Sequence, residues 1–276
     1  MSYADEVFIA NCNEILTYGT WDTELDVRPR WEDGTPAHTV KRFGIINRYD
    51  LSREFPIMTL RRTFLRSCID EILWIWQKKS NRIDELGSNV WDEWVRPDGT
   101  IGKAYGYQLG VKHKYSDGEF DQVDRALHDL KHNPASRRIL TSTYNFEDLH
   151  DMALYPCAYS MTFNVSGNVL NAILNQRSQD MLMANNWNVC QYAALVHMFA
   201  RASGLVAGEL VHVIADAHIY DKHVPLVENM LKNEPLPAPS LSINPDVSDF
   251  YSFVPSDFKL TGYNYHELKG EIPIAV

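Results

Sequence analysis

Cysteine is scarce in this 276-residue chain: Cys12, Cys68, Cys157 and Cys190 are the complete set, and none stands in a CxxC or Cys/His metal spacing. They read as reduced thiols, which removes a disulfide scaffold and a zinc module from consideration. Positive charge is also short, with 26 Lys and Arg against 36 Asp and Glu and a formal charge of −10. No uniformly basic face is available, so broad nucleic-acid binding is not expected, although a few converging arginines still suit a small anion. No GxGxxG, P-loop or GxSxG occurs, which excludes the common dinucleotide, NTPase and serine-hydrolase templates. The apolar runs fall well short of the roughly 18–20 residues that a membrane span needs. Residues 1–20 lack a cationic start followed by an apolar core, so no signal peptide is expected. Repeats and low-complexity tracts are absent. What remains is 45% apolar residues, enough for a substantial core. The expectation is a cytoplasmic protein, with residues 1–276 forming one domain and no membrane partner.

The strongest pattern lies between Ala153 and Asn188. AYSMTFNV and NVLNAILNQ alternate apolar with polar residues, and Ser166-Gly167-Asn168 supplies a turn, which predicts a β-hairpin. Its first strand begins at Pro156-Cys157, and its second ends in Gln176-Arg177-Ser178-Gln179-Asp180. Pairing about that turn brings Cys157 and Arg177 to one end of the hairpin. A thiol beside a guanidinium has a lowered pKa and is a candidate nucleophile.

Around this hairpin the pattern is mixed α/β without βαβ regularity. Helices are predicted over Ser2–Tyr18, Arg62–Gln77, Asp121–His132, Asn188–Ser203 and Asp221–Leu231. Strands or extended segments are predicted over 38–48, 54–60, 139–145 and 209–220, with short ones near 240–243 and 257–263. Residues 19–37 read as a loop carrying Arg28 and Arg30, which are either solvated charges or an anion clamp. Glu71 lies beside the apolar stripe of its helix. At an exposed rim it is inert; buried in a pocket, its pKa rises and it serves proton transfer. Trp91, Trp94, Tyr105 and Tyr107 crowd a Gly-rich stretch, either capping a core or forming a stacking platform. Ser136-Arg137-Arg138 opens a strand. His212, His218 and Tyr220 alternate along another, where a buried histidine is more often a satisfied core residue than a catalytic one. The apolar terminus GEIPIAV is expected to dock.

Taken together and in order, an arginine loop, EILW, WDEW, AYGYQ, SRR, the Pro-Cys strand, QRSxD, NxxN, DxHxY and an apolar terminus resemble thymidylate synthase from about Tyr3 to Val276. The resemblance implies an α+β fold with a large, kinked mixed sheet, helices on one face and a dimer interface on the other. It implies reductive methylation of dUMP to dTMP, with 5,10-methylenetetrahydrofolate as co-substrate and no metal. Cys157 would add to carbon 6 of the uracil. Arg177 would stabilise its thiolate and, with Arg28 and Ser178, bind the substrate phosphate. Arg137 and Arg138 would reach the phosphate from the partner subunit of a homodimer. Asn188 matches the residue that reads the uracil edge, Gln179 and Asp180 belong to the same nucleotide site, His218 and Tyr220 hold the ribose, and Asp216 joins the catalytic set. Glu71 and Tyr105 match the proton-transfer pair. Trp91, Trp94, Leu154, Asp180, Ala184, Trp187 and Ile274-Ala275-Val276 match the folate surface, which the terminus closes against water.

Several positions depart from that family's common pattern. Ala158 follows the nucleophile in place of histidine, and Asn186-Trp187 replaces Pro-Phe. Ala184 and Ala215 stand for glycines, Tyr144 for tryptophan, and Phe64 for a folate-contacting histidine. These bear on the folate pocket and leave Cys157, Arg177, Asn188 and Glu71 in place. A sibling hydroxymethylase would trap the same intermediate with water; Trp91 and the apolar terminus favour hydride transfer instead. A catalytically silent nucleotide- or RNA-binding relative is opposed by Cys157, Glu71 and Tyr105, and by the acidic balance. A cysteine hydrolase lacks a Cys/His/Asn arrangement.

Overall fold

The alternation in the central hairpin forms as read. The computed structural model describes residues 1–268 and 270–276. It opens with α1 (Tyr3–Tyr18), β1 (Thr20–Trp21), β2 (Thr39–Asp50) and α2 (Leu65–Trp76). Then come α3 (Gly106–Gly110), β3 (His113–Tyr115), β4 (Gly118–Phe120), α4 (Gln122–His132) and β5 (Leu140–Ser142). The hairpin is β6 (Ala158–Ser166) and β7 (Val169–Asp180), followed by α5 (Asn185–Ala202) and β8 (Val206–Tyr220). The chain finishes with α6 (Val224–Met230), β9 (Ser240–Ile243) and β10 (Phe258–Thr261).

A six-stranded mixed sheet runs in the order β1-β2-β8-β7-β6-β5. Only β7 and β8 are parallel within it, joined by the crossover helix α5 that such a pair requires. Gly167 takes φ +64° at the hairpin tip, the left-handed conformation expected at the first central position of a II′ turn. Leu170, Ala172, Leu174 and Gln176 on β7 are buried, whereas Ile173 between them is exposed. The period of two therefore sends one face of β7 into the core and the other outward. A register shift between Ala158 and Ser160 breaks the alternation of β6 next to Cys157, and such bulges re-aim side chains at strand ends.

Helix α5 lies across β7 and β8 and against α2, and nearly all of its residues from Val189 to Ala200 are buried. Helix α2 is similar: from Cys68 to Trp76, Asp70 alone is not buried. A helix that is apolar all round belongs inside a core. Helices α1 and α6 border a second, smaller apolar cluster with Ile214, Ala217 and Ile219 of β8. Away from the helices, Ile46 on β2 is 61% exposed and Ile173 is 39% exposed. Leu140 and Phe43 add further exposed apolar surface on the sheet.

Four local expectations are corrected. Residues 54–60 form no strand. Their backbone is held by side chains instead, with Asp5 accepting from the Thr59 and Leu60 N–H groups and Asn186 bridging Met58 N–H and the Pro56 carbonyl. The strand expected over 139–145 is confined to Leu140–Ser142. The loop over 19–37 contains the two-residue strand β1. Helix α5 begins at Asn185, three residues before the expected start, and so includes Trp187.

Candidate active site

The hairpin places Cys157 and Arg177 side by side. The Arg177 N–H donates to the Cys157 carbonyl at 2.9 Å, and its Nη2 lies 3.8 Å from Sγ. The guanidinium also donates to the Tyr155 and Pro156 carbonyls, at 2.7 and 3.1 Å. Arg177 thus clamps the turn into β6 as well as facing the thiol. From the other side, the Cys157 N–H donates to Tyr105 Oη at 3.0 Å. The expectation of a lowered thiol pKa is overturned. Burial pushes Cys157 above its ordinary value, although Arg177, Tyr105 and Arg28 all pull it down. One guanidinium at 3.8 Å does not offset the loss of solvent.

Tyr105 is buried, and burial together with the nearby Cys157 raises its pKa well above that of a free phenol. Its backbone sits at φ +44°, ψ −102°, a region that only glycine adopts freely. Gly106 follows, with Ser80 O only 2.3 Å from where a Cβ would stand. The Tyr105 ring packs edge-on against Trp91 at 5.3 Å.

Glu71 is 7% exposed, not at a rim. Trp91 Nε1 donates to its Oε1 at 2.8 Å and Trp187 Nε1 to its Oε2 at 2.6 Å. Burial raises the carboxyl pKa, against the opposing pull of Trp187, Trp91 and the nearby Gln191 amide.

Asn188, in the first turn of α5, is held by a chain of amides. Its Oδ1 accepts from Gln176 Nε2 at 3.0 Å and from Gln179 Nε2 at 3.4 Å, and its Nδ2 donates to Gln191 Oε1 at 3.0 Å. Gln176 Oε1 accepts from His212 Nε2 at 2.8 Å. Burial drops His212 to about 3, so it is a neutral core donor, as a histidine on a buried strand usually is. Among the described residues, Gln179 Oε1 is buried without a partner.

On β8, His218 Nδ1 lies 2.8 Å from Asp216 Oδ1, and Lys41 reaches Asp216 at 3.6 Å. Burial works against charge on Asp216, yet His218 and Lys41 hold its carboxyl below the ordinary range. The His218 and Tyr220 rings meet edge-on at 5.2 Å. Asp180 caps the turn before α5 by accepting from Leu182 and Met183 N–H at 2.9 and 3.0 Å. His223 lies 3.8 Å from its other oxygen, and this histidine also contacts the Pro273 carbonyl at 2.8 Å. The terminus docks as expected: Val276 and Arg30 exchange backbone hydrogen bonds at 2.9 and 3.0 Å. Ala275 and Ala184 are half-buried.

Trp94, Leu154 and Trp187 are half-buried apolar residues packed against the main core; Trp187 donates to Glu71, and Trp94 packs edge-on against Trp91 at 5.8 Å. Ser178 is half-buried and Arg28 exposed, and Arg28 is near enough for its charge to favour ionised Cys157 and Tyr220. Arg137 and Arg138 are exposed at the start of β5, and no described contact brings either to Cys157. Sequence reading gave no role to Gln176, Gln191 or His223. Gln176 was legible as the buried-face residue preceding Arg177; nothing marked the other two.

Of the departures, Ala158 is buried, Asn186 pins residues 55–60, and Phe64 is exposed beneath the Arg62 guanidinium at 4.4 Å. Tyr144 packs among Phe146, Tyr155 and Tyr159. Among the described residues no cluster of His, Cys, Asp and Glu could hold a metal, and no helix is long and apolar enough to cross a membrane.

A family model described as thymidylate synthase matches residues 6–276. The chain is 43% identical over 270 residues to the thymidylate synthase of Bacillus phage phi3T, covering 96% of each chain. It is 44% identical over 270 residues to that of Bacillus licheniformis, with the same coverage. Among solved structures, the thermostable thymidylate synthase A of Bacillus subtilis superposes with a TM-score of 0.94 at 40% identity, covering 100% of both chains.

Proposed function

The chain belongs to the thymidylate synthase family, and we propose that the residues gathered around Cys157 carry out that family's reaction in it. The enzyme is a one-carbon transferase that converts dUMP to dTMP with 5,10-methylenetetrahydrofolate. The observation that carries the assignment of roles is the Cys157–Arg177–Tyr105 cluster beside buried Glu71.

Cys157 Sγ, as thiolate, adds to carbon 6 of the uracil, and the electron pair of the 5,6 double bond makes carbon 5 nucleophilic. Arg177 balances charge on sulfur. With Arg28, Ser178 and, across a dimer, Arg137 and Arg138, it binds the phosphate. Asn188 pairs with the uracil edge, its amide orientation fixed by Gln176 and Gln191. His218 and Tyr220 hold the ribose, and Asp216 fixes the His218 ring. Tyr105 Oη, which already touches the nucleophile's backbone, directs removal of the carbon 5 proton, and Glu71 moves protons near the uracil carbonyl.

The residues present suit a flat folate. Trp94, Leu154 and Trp187 offer half-buried apolar surface, and among the described residues Gln179 Oε1 is a buried acceptor without a partner. Trp91, Ala184, Asp180 and Ala275 complete the folate surface in this proposal. When bound there, the folate supplies both the carbon and the hydride. The docked terminus and the tryptophans keep water from that exchange.

Exposed Ile46, Ile173 and Leu140 support a homodimer through the open face of the sheet. Arg30–Val276 pairing and a sheet drawing on residues 20 to 220 support one domain over 1–276. Free thiols that are buried or half-buried support a cytoplasmic location. The test is incubation with dUMP and methylenetetrahydrofolate, following dihydrofolate by absorbance and the nucleotide by mass. The expected products are dTMP and dihydrofolate, lost in Cys157→Ala. 5-Hydroxymethyl-dUMP formed without dihydrofolate would overturn the assignment.

A further inference from the structure

Glu71 is held from two directions by two indoles. One donor, Trp91, comes from the segment after α2; the other, Trp187, comes from the first turn of α5. Each serves a different carboxylate oxygen, so the carboxylate cannot rotate without breaking one contact. Trp187 makes the shorter of the two, at 2.6 Å against 2.8 Å. Gln191 stands four residues after Trp187, on the same face of the helix. Its Nε2 faces Glu71 without meeting a hydrogen-bond partner among the described residues, while its Oε1 accepts from Asn188. The first two turns of α5 thus carry the donor to Glu71, the base-reading Asn188 and the amide between them.

We propose that Trp187 is a positioning residue for the chemical step: its N–H fixes the plane of Glu71 and keeps that buried carboxylate ionised, in register with Asn188. This rests on the proton-transfer role given to Glu71 above, and it goes beyond treating Trp187 as part of the folate wall. Of the titratable groups around Glu71, Asp70 and Cys68 lie on its own helix, Tyr105 precedes α3, and Tyr192 lies on α5. Asp70 opposes ionisation of Glu71, so donors must favour it, and Trp187 is the foremost of those.

The sign follows directly. An ionised Glu71 is lost as pH falls through its pKa, giving an acid limb in the kcat profile. Removing the Trp187 donor destabilises the carboxylate and moves that limb to higher pH. Trp187→Phe keeps an aromatic ring and removes the N–H. The expected result is an acid limb about one pH unit higher, with kcat about tenfold lower below it. Glu71→Gln should abolish the limb along with most activity. A Trp187→Phe enzyme with an unmoved limb and only a raised folate KM would make the residue a folate wall and overturn the proposal. Wild-type enzyme that makes no dTMP would instead overturn the reading of the site. Should Trp187→Phe fail to fold, 3-benzothienylalanine at position 187 makes the same comparison, since sulfur replaces the N–H in an indole-shaped ring.

Discussion

Burial works against Cys157 as a nucleophile, and three groups work for it. In the free protein burial prevails and the thiol is stored protonated. The other cysteines, Cys12, Cys68 and Cys190, are fully buried, and burial raises each of their thiols, although the Arg61 charge opposes it at Cys68 and Cys190. Alkylation with iodoacetamide should therefore modify Cys157 alone in the folded enzyme. Its rate should rise with pH to a midpoint above that of an ordinary thiol. Arg177→Gln removes the nearest charge and should raise the midpoint by about one further pH unit, measured by mass of the labelled peptide. A midpoint that stays put would mean that the 3.8 Å contact carries no charge stabilisation. Lowering the pKa for catalysis would then fall to groups that arrive with the substrate complex.

At the scale of elements, the segment before α3 does the most with the least. Tyr105 adopts a left-handed φ so that its hydroxyl meets the Cys157 N–H, and Gly106 makes the approach to Ser80 possible. A methyl at 106 would overlap Ser80 O and N, both backbone atoms, at 2.3 and 2.7 Å. Gly106→Ala should cost about 3 kcal/mol and displace Tyr105, lowering Tm by several degrees and kcat by about tenfold or more. Gly34→Ala is the control: φ is +79° there, but nothing lies within 4 Å, so only backbone strain of about 1 kcal/mol is expected. Equal effects from the two would show that steric contact at Ser80 is not the cause. Elements with a clean period, such as β6, β7, α1 and α4, were legible from sequence. Others were not, each for a physical reason. The 54–60 run is apolar, but its backbone is satisfied by Asp5 and Asn186 side chains, which no local pattern shows. The apolar stripe left Glu71 open between rim and pocket, because sequence does not show that α2 is buried almost all round, packed on α5, α3 and the turn at 255–257. The polar start of α5, NNWN, hid a helical turn whose side chains point to Glu71, Gln191 and residues 56–58.

At the scale of the molecule, the site in one protomer is short of positive charge. A dianionic phosphate would meet Arg177, half-buried and engaged with two carbonyls, and the exposed Arg28. Arg137 and Arg138 lie just before the edge strand β5 of the same sheet, both exposed, and the Arg138 N–H donates to Ser136 Oγ at 3.2 Å. Two-fold pairing through the open sheet face would let each protomer lend its arginines to the other, because an isologous interface repeats every contact twice. This arrangement is testable by mixing two inactive enzymes. Arg137→Ala lacks a lent arginine, and Cys157→Ala lacks the nucleophile. In a hybrid dimer one site combines intact Cys157 with intact Arg137, and the other has neither. If subunits exchange at random, half the dimers are hybrids and half of their sites are complete, so about a quarter of wild-type activity should return. If Arg137 serves its own chain, no site in any hybrid is complete and activity stays at background. Subunit exchange, followed by mass-tagged protomers in the same mixture, makes a null result decisive against lent arginines.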